Sequence, residues 1–252
     1  MTDGVMGDPI RQLQAVDGQR AWVLALAPEP CSAQCPTELR ETTDGGKTWT
    51  TLLRGAMTAV RFANASRGWL AITDPMGAVD VRVTSDGGAT WERGFHTATG
   101  AVVGLDAATA QIAWLMTQDG AYCTASSCSK YELFRTVDGG WHWSSLGNPK
   151  GDAGGCTFGH LVGPVFASVS RGWLALNLGA GGAKGGPGGI LATDDGGATW
   201  QCMDTPPNTN LISAADVLHI WATSQDQSGV TTVYATDDGG RIWHPLDLTA
   251  LR

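Results

Sequence analysis

The sequence predicts an all-β fold built from five copies of one four-stranded unit. The eight-residue pattern Thr-x-Asp-Gly-Gly-x-x-Trp occurs five times in 252 residues. A tryptophan inside a short apolar run precedes each copy, as in Gly68-Trp69-Leu70-Ala71. Glycine is abundant (35 residues), tryptophan is frequent (11 residues) and only 16% of residues are charged, which is typical of a turn-rich β protein.

The repeated pattern predicts a hairpin turn between two strands. Asp-Gly between β-prone segments favours a type I′ turn, because both residues tolerate positive φ, and the Asp side chain can accept hydrogen bonds from following backbone N–H groups. We therefore interpret two sets of residues as structural. The aspartates are Asp44, Asp86, Asp138, Asp195 and Asp238, and the tryptophans that close each copy are Trp49, Trp91, Trp143, Trp200 and Trp243.

The spacing of the pattern defines the repeat, since successive aspartates are 42 to 57 residues apart. Each interval holds an apolar strand, a tryptophan-containing strand, a strand entering the turn and a strand leaving it. Four antiparallel strands at this period predict a β-propeller, most simply a closed ring of five blades that forms one domain over residues 1–252. The predicted blades are 10–54, 57–95, 101–147, 162–204 and 210–248.

Loop lengths separate the two ends of each predicted blade. The first-to-second links are short and the Asp-Gly-Gly turns are constant, whereas the second-to-third links and the joins between blades vary. Strands alternate in direction, so the variable loops share one end, and binding usually resides on variable loops over a rigid scaffold. The candidate ligand-binding residues are Arg54, His96, Tyr122, Tyr131, His160 and Asn210.

Six cysteines lie in or beside the variable loops. Two local pairs, Cys31 with Cys35 and Cys123 with Cys128, suggest loop disulfides, which leaves Cys156 and Cys202 as a third pair by elimination, although six cysteines allow fifteen connectivities. A zinc site is one alternative, but the sequence has no Cys-x-x-Cys pair to support it. Free thiols are the other alternative. Disulfides would place the protein in an oxidising, extracytoplasmic compartment, with its export signal or anchor absent from this sequence.

Charge and hydropathy exclude several classes of partner. The formal net charge of −8 and pI near 4.9 argue against nucleic acid, and no apolar run reaches the length of a membrane-spanning helix. We predict no cofactor and no metal. The acidic pairs Asp194-Asp195 and Asp237-Asp238 raise the possibility of calcium, but a single turn offers fewer than its six to eight oxygen ligands.

The repeated turn resembles the Asp box, also called the bacterial neuraminidase repeat, at five places and over nearly the whole chain. Asp-box propellers include sialidases, some endo-glucanases and xyloglucanases, sortilin-type receptors and photosystem II assembly factors. Gly68-Trp69-Leu70-Ala71 followed by Thr84-Ser85-Asp86-Gly87-Gly88 looks most like the assembly factors and their bacterial relatives. In that family the box is a structural turn away from the active face, so the resemblance implies a fold rather than an activity.

The function expected from these features is a non-enzymatic, extracytoplasmic binding or assembly scaffold that holds a protein or glycan through its variable loops. The alternative is an Asp-box glycoside hydrolase, either sialidase-like or xyloglucanase-like. Tyr131 and Glu132 are adjacent, so on a strand they point to opposite faces, which weakens them as a sialidase nucleophile pair. A third possibility is a structural repeat without a ligand, within a larger surface protein.

Overall fold

The computed structural model describes residues 9–27, 35–98, 100–119, 130–149, 160–177, 189–203, 206, 209–226 and 228–247. The chain divides into two compact units. Unit 1 contains residues 1–113 and 136–144, and unit 2 contains residues 114–135 and 145–252.

Twenty strands form five four-stranded sheets, and the strand order in each sheet follows the chain. Blade 1 contains β1 (Ile10–Ala15), β2 (Ala21–Leu26), β3 (Thr37–Thr42) and β4 (Thr50–Gly55). Blade 2 contains β5 (Met57–Phe62), β6 (Gly68–Thr73), β7 (Val79–Thr84) and β8 (Glu92–Thr97). Blade 3 contains β9 (Ala101–Ala107), β10 (Ala113–Gln118), β11 (Tyr131–Thr136) and β12 (Ser144–Gly147). Blade 4 contains β13 (His160–Phe166), β14 (Gly172–Asn177), β15 (Ile190–Thr193) and β16 (Gln201–Met203). Blade 5 contains β17 (Thr209–Ala214), β18 (Ile220–Gln225), β19 (Thr231–Thr236) and β20 (His244–Pro245).

These sheets confirm the predicted fold class, an all-β propeller of five antiparallel four-stranded blades. The second strand of each of the first four blades is apolar without alternation and buried on both faces, as expected when sheets cover one another. Its tryptophan is at most 1% exposed in each of these blades. The four tryptophans are Trp22, Trp69, Trp114 and Trp173.

Each unit has a core formed where successive blades pack. In unit 1, Trp22 and Leu39 of blade 1 pack against Val60 and Phe62 of blade 2. In unit 2, a second cluster joins blade 4 to blade 5. Its buried members are Trp173, Ala175, Ile190, Ala192, Ile212, Ile220 and Ala222.

The turn between the third and fourth strands differs from the predicted two-residue hairpin. In blade 1 it spans residues 43–49, and the left-handed conformations fall on Gly45 (φ 74°) and Gly46 (φ 87°) rather than on Asp44 and Gly45. The reason is that the side chains of Thr42 and Asp44 close a wider loop. Thr42 Oγ1 donates to Asp44 Oδ1 at 2.8 Å and accepts from Gly46 N at 2.9 Å.

Asp44 also accepts hydrogen bonds from the far side of this loop. The backbone N–H of Thr48 donates to Asp44 Oδ1 at 2.9 Å, and Thr48 Oγ1 donates to Oδ2 at 2.7 Å. The same Thr–Asp bond and Asp–backbone bond recur in the other four turns. The aspartates therefore hold the turns closed, as the sequence predicts.

Four of the six cysteines, Cys31, Cys123, Cys128 and Cys156, lie outside the described residues, as does Tyr122. Within the described ranges, no helix has the length and apolar character needed to cross a membrane. The same ranges contain no group of three or more His, Cys, Asp or Glu side chains placed to share a metal ion.

Candidate functional site

Two of the predicted site residues belong to ion-pair clusters. Arg54 of β4 hydrogen-bonds to Glu38 of β3, whose other carboxylate oxygen lies 2.6 Å from Arg40 Nη2. Burial of Glu38 acts to raise its pKa, but the bonds from the two arginines outweigh burial and lower the pKa. Because Glu38 is 2% exposed, Arg54 serves to neutralise a buried carboxylate.

His96 of β8 lies in an exposed cluster on blade 2. Its Nδ1 is 2.7 Å from Asp80 Oδ1, and Arg93 Nε donates to the same oxygen at 3.0 Å. Burial acts to raise the pKa of Asp80, and the bonds from Arg93 and His96 reverse that effect and lower it. The carboxylate is thus held ionised between two nitrogen donors.

Unit 2 holds the remaining described candidates, which lie around the start of β13, where His160 pairs with Asn177. Tyr131 is 5% exposed, and its hydroxyl accepts a hydrogen bond from Leu161 N at 3.1 Å, so it joins blades 3 and 4. Glu132 is exposed, as expected for the opposite face of the strand. His160 is exposed at the start of β13, and Asn210 Oδ1 accepts from Asn177 Nδ2 at 2.8 Å.

Unit 2 contains a groove of about 660 Å³ at the end of blades 4 and 5 that carries the Asp-Gly-Gly turns, which we call the turn end. The blade 4 side is formed by the link before β14, by β15 and the turn that follows it, and by the last strand, β16. The link before β18 and the Asp-Gly-Gly turn of blade 5 form the other side. The lining therefore comes from five short segments that the blade framework fixes in place.

The groove combines apolar and polar side chains. Met203, Val217 and Leu218 supply its apolar surface, and Val217 and Leu218 are 39% and 48% exposed. Val169 and Ile242, which are 41% and 59% exposed, lie on neighbouring turn-end segments of the same two blades. Two exposed apolar side chains therefore line the groove and two more adjoin it.

Arg171 is the most constrained polar group of the lining. Its guanidinium lies 5.1 Å from the centre of the Trp173 ring, Nη1 donates to Asp194 Oδ1 at 2.7 Å and Nη2 donates to Gly239 O at 2.7 Å. These contacts use both terminal nitrogens, so Arg171 ties blade 4 to the turn of blade 5. Its side chain is 18% exposed, whereas that of Asp194 is 73% exposed.

In the preceding blades, the tryptophan of the second strand makes the bond that Arg171 makes here. Trp22 Nε1 donates to Gly87 O at 3.2 Å, and Trp69 Nε1 donates to Gly139 O at 3.0 Å. Among the described residues, Trp173 Nε1 is buried without a hydrogen-bond partner. In blade 2, Arg67 Nη2 donates to Gly139 O together with Trp69, whereas in blade 4 Arg171 makes the bond and Trp173 does not.

The two carboxylates that line the groove both have donors. Asp238 accepts bonds from Ile242 N at 3.0 Å and Thr236 Oγ1 at 2.8 Å, and these bonds lower its pKa. Asp194 is paired with Arg171. Asp238 is therefore not in the environment that produces a protonated acid at neutral pH, which requires burial without such partners.

Sequence reasoning placed the site at the opposite end of the blades, where most loops lie outside the described residues, and that placement stays a prediction. It missed the groove because the Asp-Gly-Gly turns look structural. One difference between the repeats could have indicated the groove, and it lies in the link between the first and second strands of each blade. At the two positions before the last residue of this link, blade 5 has Val217-Leu218, whereas blade 1 has Gly18-Gln19 and blade 2 has Ala65-Ser66.

No protein-family model matches this chain, and no curated protein matches it. The solved structures similar to it include a GH74 xyloglucanase from Xanthomonas campestris, with 13% identity and a TM-score of 0.59 over 92% of this chain and 37% of the xyloglucanase. An α-L-arabinanase from Penicillium chrysogenum complexed with arabinobiose has 13% identity and a TM-score of 0.54, over 98% of this chain and 83% of the arabinanase.

A third structure, YCF48 bound to a D1 peptide, has 17% identity and a TM-score of 0.47, over 96% of this chain and 82% of YCF48. Of the xyloglucanase named above, this chain spans little more than a third of the length, at 37%. At these identities, the similarity to the xyloglucanase and the arabinanase shows the fold alone.

Proposed function

We propose that this chain is a non-enzymatic scaffold that binds a segment of another protein in the groove of unit 2. The observation that carries the proposal is the lining itself, in which Val217 and Leu218 lie beside Arg171 and Asp194. Protein interfaces commonly combine a desolvated apolar centre with polar groups around it. An extended segment that buries the exposed parts of Val217 and Leu218 would gain the contact area that binding requires.

A protein ligand suits this lining better than a glycan does. Of the described residues that line the groove, none has an aromatic ring on which a sugar could stack. Methionine and arginine, by contrast, are enriched in protein interfaces, and the lining contains Met203, Arg171 and Arg241.

The lining carboxylates argue against glycoside hydrolysis at this place. Retaining and inverting hydrolases both need one carboxylic acid that stays protonated until it donates to the leaving group. Hydrogen bonds lower the pKa of Asp238, and Asp194 is paired with Arg171. The lowered pKa makes Asp238 a poor proton donor of that kind, and Asp194 is engaged by an arginine.

We also propose that the protein acts outside the cytoplasm and that its cysteines pair locally, as Cys31 with Cys35, Cys123 with Cys128, and Cys156 with Cys202. The placement of the two local pairs within loops supports this proposal. Loop disulfides persist in oxidising compartments. A thiol assay on the folded, unreduced protein should find no reactive cysteine, and six reactive cysteines would contradict the proposed location.

The groove can be tested by selecting peptides from a random phage-displayed library on the wild-type protein. Leu218→Ser removes an exposed apolar side chain and introduces the residue that blades 2 and 4 carry at the same place, Ser66 and Ser170. We expect the selected peptides to lose most of their affinity for this variant. The matched control is Val230→Ser, because Val230 is 59% exposed in the same blade but lies in the link between β18 and β19.

Equal loss in both variants, or none in either, would contradict binding in the groove. Loss only with Val230→Ser would instead favour the variable-loop end that the sequence predicts. A parallel assay for release of reducing sugar from xyloglucan and arabinan should give no signal above the heat-denatured protein. Release that the native protein sustains would overturn the non-enzymatic proposal.

A further inference from the structure

We propose that the segment held in the groove is basic, with a lysine or arginine that meets Asp194 and an adjacent apolar side chain that rests on Leu218 and Met203. This inference depends on the proposed function and specifies the chemistry of its partner. It follows from the charges around the groove, the geometry of the Arg171–Asp194 pair and the contrast with the first two blades.

The turn end of blades 4 and 5 is acidic. Across the two links and the two turns of these blades the sequence places five aspartates and two arginines. The aspartates are Asp194, Asp195, Asp216, Asp237 and Asp238, and the arginines are Arg171 and Arg241. The whole chain has a net charge of −8, so the local field and the overall field both favour approach of a cationic partner.

Within the lining, Asp194 is the acid best placed for a ligand. Its carboxylate is 73% exposed, and Arg171 bonds to its Oδ1. Arg171 in turn is fixed by Gly239 O and by the face of Trp173, so it cannot turn towards a ligand without losing those contacts. A carboxylate oriented by a fixed arginine can accept a further hydrogen bond from a lysine or arginine side chain.

The apolar requirement comes from the blade 5 side of the groove. Val217 and Leu218 are 39% and 48% exposed, and Met203 lies on the opposite side. An extended peptide projects successive side chains to opposite sides, so a cationic residue and its neighbours can meet Asp194 and the apolar lining in turn. Recognition by pockets for alternate side chains is an established mode of peptide binding.

The first two blades provide an internal comparison. At the turn position of Asp194, blade 1 has Thr43 and blade 2 has Ser85. Their links carry Gln19 and Ser66 where blade 5 carries Leu218. Asp194 and Leu218 therefore occur together in unit 2, and neutral polar residues stand at both positions in the first two blades.

The test uses two labelled heptapeptides and fluorescence anisotropy. The first alternates lysine with valine and leucine, and the second has glutamate in place of each lysine. We expect the basic peptide to bind the wild-type protein and the acidic peptide to bind at least about fivefold more weakly. Affinity for the basic peptide should fall as salt rises from about 50 mM to about 300 mM, because salt screens exposed charges.

Variants then locate the interaction. Asp194→Asn keeps an oxygen for Arg171 but removes the charge, and we expect it to lower the affinity for the basic peptide about threefold to fivefold. Asp237→Asn is the matched control, since Asp237 is exposed at the same turn position of blade 5 and does not line the groove. Gln201→Glu adds a charge to the groove lining without changing shape and should tighten binding by a similar factor.

Three results would overturn the inference: equal or tighter binding of the acidic peptide, equal effects of Asp194→Asn and Asp237→Asn, or no gain with Gln201→Glu. If Leu218→Ser still abolishes binding of library peptides in those cases, the groove binds a protein segment of another charge and only this inference fails. If no peptide depends on Leu218, the proposed function fails as well.

Discussion

Phe62 stacks on Trp22 with ring centroids 3.7 Å apart and ring planes 5° apart. Unit 2 repeats the arrangement with Phe166 and Trp114, at 3.5 Å and 5°. In both cases the phenylalanine of one blade lies against the tryptophan of the preceding blade. Stacked rings at this distance join neighbouring blades through a large buried apolar contact.

The first prediction concerns Gly68, which begins β6. A Cβ at this position would lie 2.5 Å from Phe62 Cδ1, so alanine would push the ring away from Trp22. We expect Gly68→Ala to lower the free energy of unfolding by about 1–3 kcal/mol, measured by urea denaturation. Gly18→Ala is the control, because a Cβ there would meet no atom within 4 Å. Equal stability of the two variants would contradict the packing argument.

A second prediction compares two buried tryptophans that differ in hydrogen bonding. Trp69 Nε1 donates to Gly139 O at 3.0 Å, whereas Trp173 Nε1 is buried without a partner among the described residues. Replacement by phenylalanine removes similar volume at both sites but breaks a hydrogen bond only at Trp69. Trp69→Phe should therefore cost about 1 kcal/mol more than Trp173→Phe in chemical denaturation. A larger cost at Trp173 would show that the partner assignment is wrong.

The third prediction separates stability from binding in the Asp-Gly-Gly turns. Asp86 accepts bonds from Thr84 Oγ1 at 2.7 Å and from Thr90 N at 2.9 Å, so Asp86→Ala should lower the melting temperature. Peptide binding in the groove of unit 2 should persist in this variant. Asp238→Ala should lower both the melting temperature and the affinity for the peptide, because Asp238 holds a turn that lines the groove. Loss of binding in both variants would mean that the turns act through global stability.

The fourth prediction is a dependence of stability on acid. Hydrogen bonds from Thr48 and Thr42 lower the pKa of Asp44 from 3.8 to about 2, and Thr90 and Thr84 do the same for Asp86. A lowered pKa in the folded state stabilises the protein above pH 4, and that stability disappears as the pH falls towards 2. Melting temperature should therefore drop steeply over this interval.

Asp86→Asn provides the matched control for the acid prediction. Asparagine cannot titrate, so its melting temperature should fall less steeply between pH 4 and pH 2 than that of the wild-type protein. The difference in melting temperature between the variant and the wild-type protein should therefore become smaller as the pH falls. Parallel curves would show that the bonds to Asp86 do not distinguish its ionised form from its neutral form.

The sequence predicts five blades of four strands because each repeat carries the same local information. The period, the apolar second strand and the Thr-x-Asp-Gly-Gly-x-x-Trp turn all agree on four strands per unit. The turn geometry was predicted less well, because its width depends on the Thr42 hydroxyl, whose bond to Asp44 is not evident from propensities. Arg67 and Arg171 likewise have a long-range role, since each donates to a turn carbonyl of the next blade.

The candidate site was harder to predict because it depends on differences between repeats rather than on the repeat. Val217, Leu218 and Asp194 are ordinary residues in the one-dimensional sequence, and only packing of blade 4 against blade 5 brings them to one groove. Prediction from the variable loops instead favoured residues such as Tyr131. That side chain is buried, and its hydroxyl meets the backbone of Leu161.

The bond from the second-strand tryptophan to the turn of the following blade has a consequence for how such chains change in length. Trp22, Trp69 and Trp114 each donate to the first glycine in the turn of the following blade, so blades 2 and 3 carry both the donor and the acceptor at matching places. A copy of blade 2 or blade 3 inserted beside the original would meet neighbours that already present the complementary group. Gene duplication can therefore add such a blade in one event with this contact already in place.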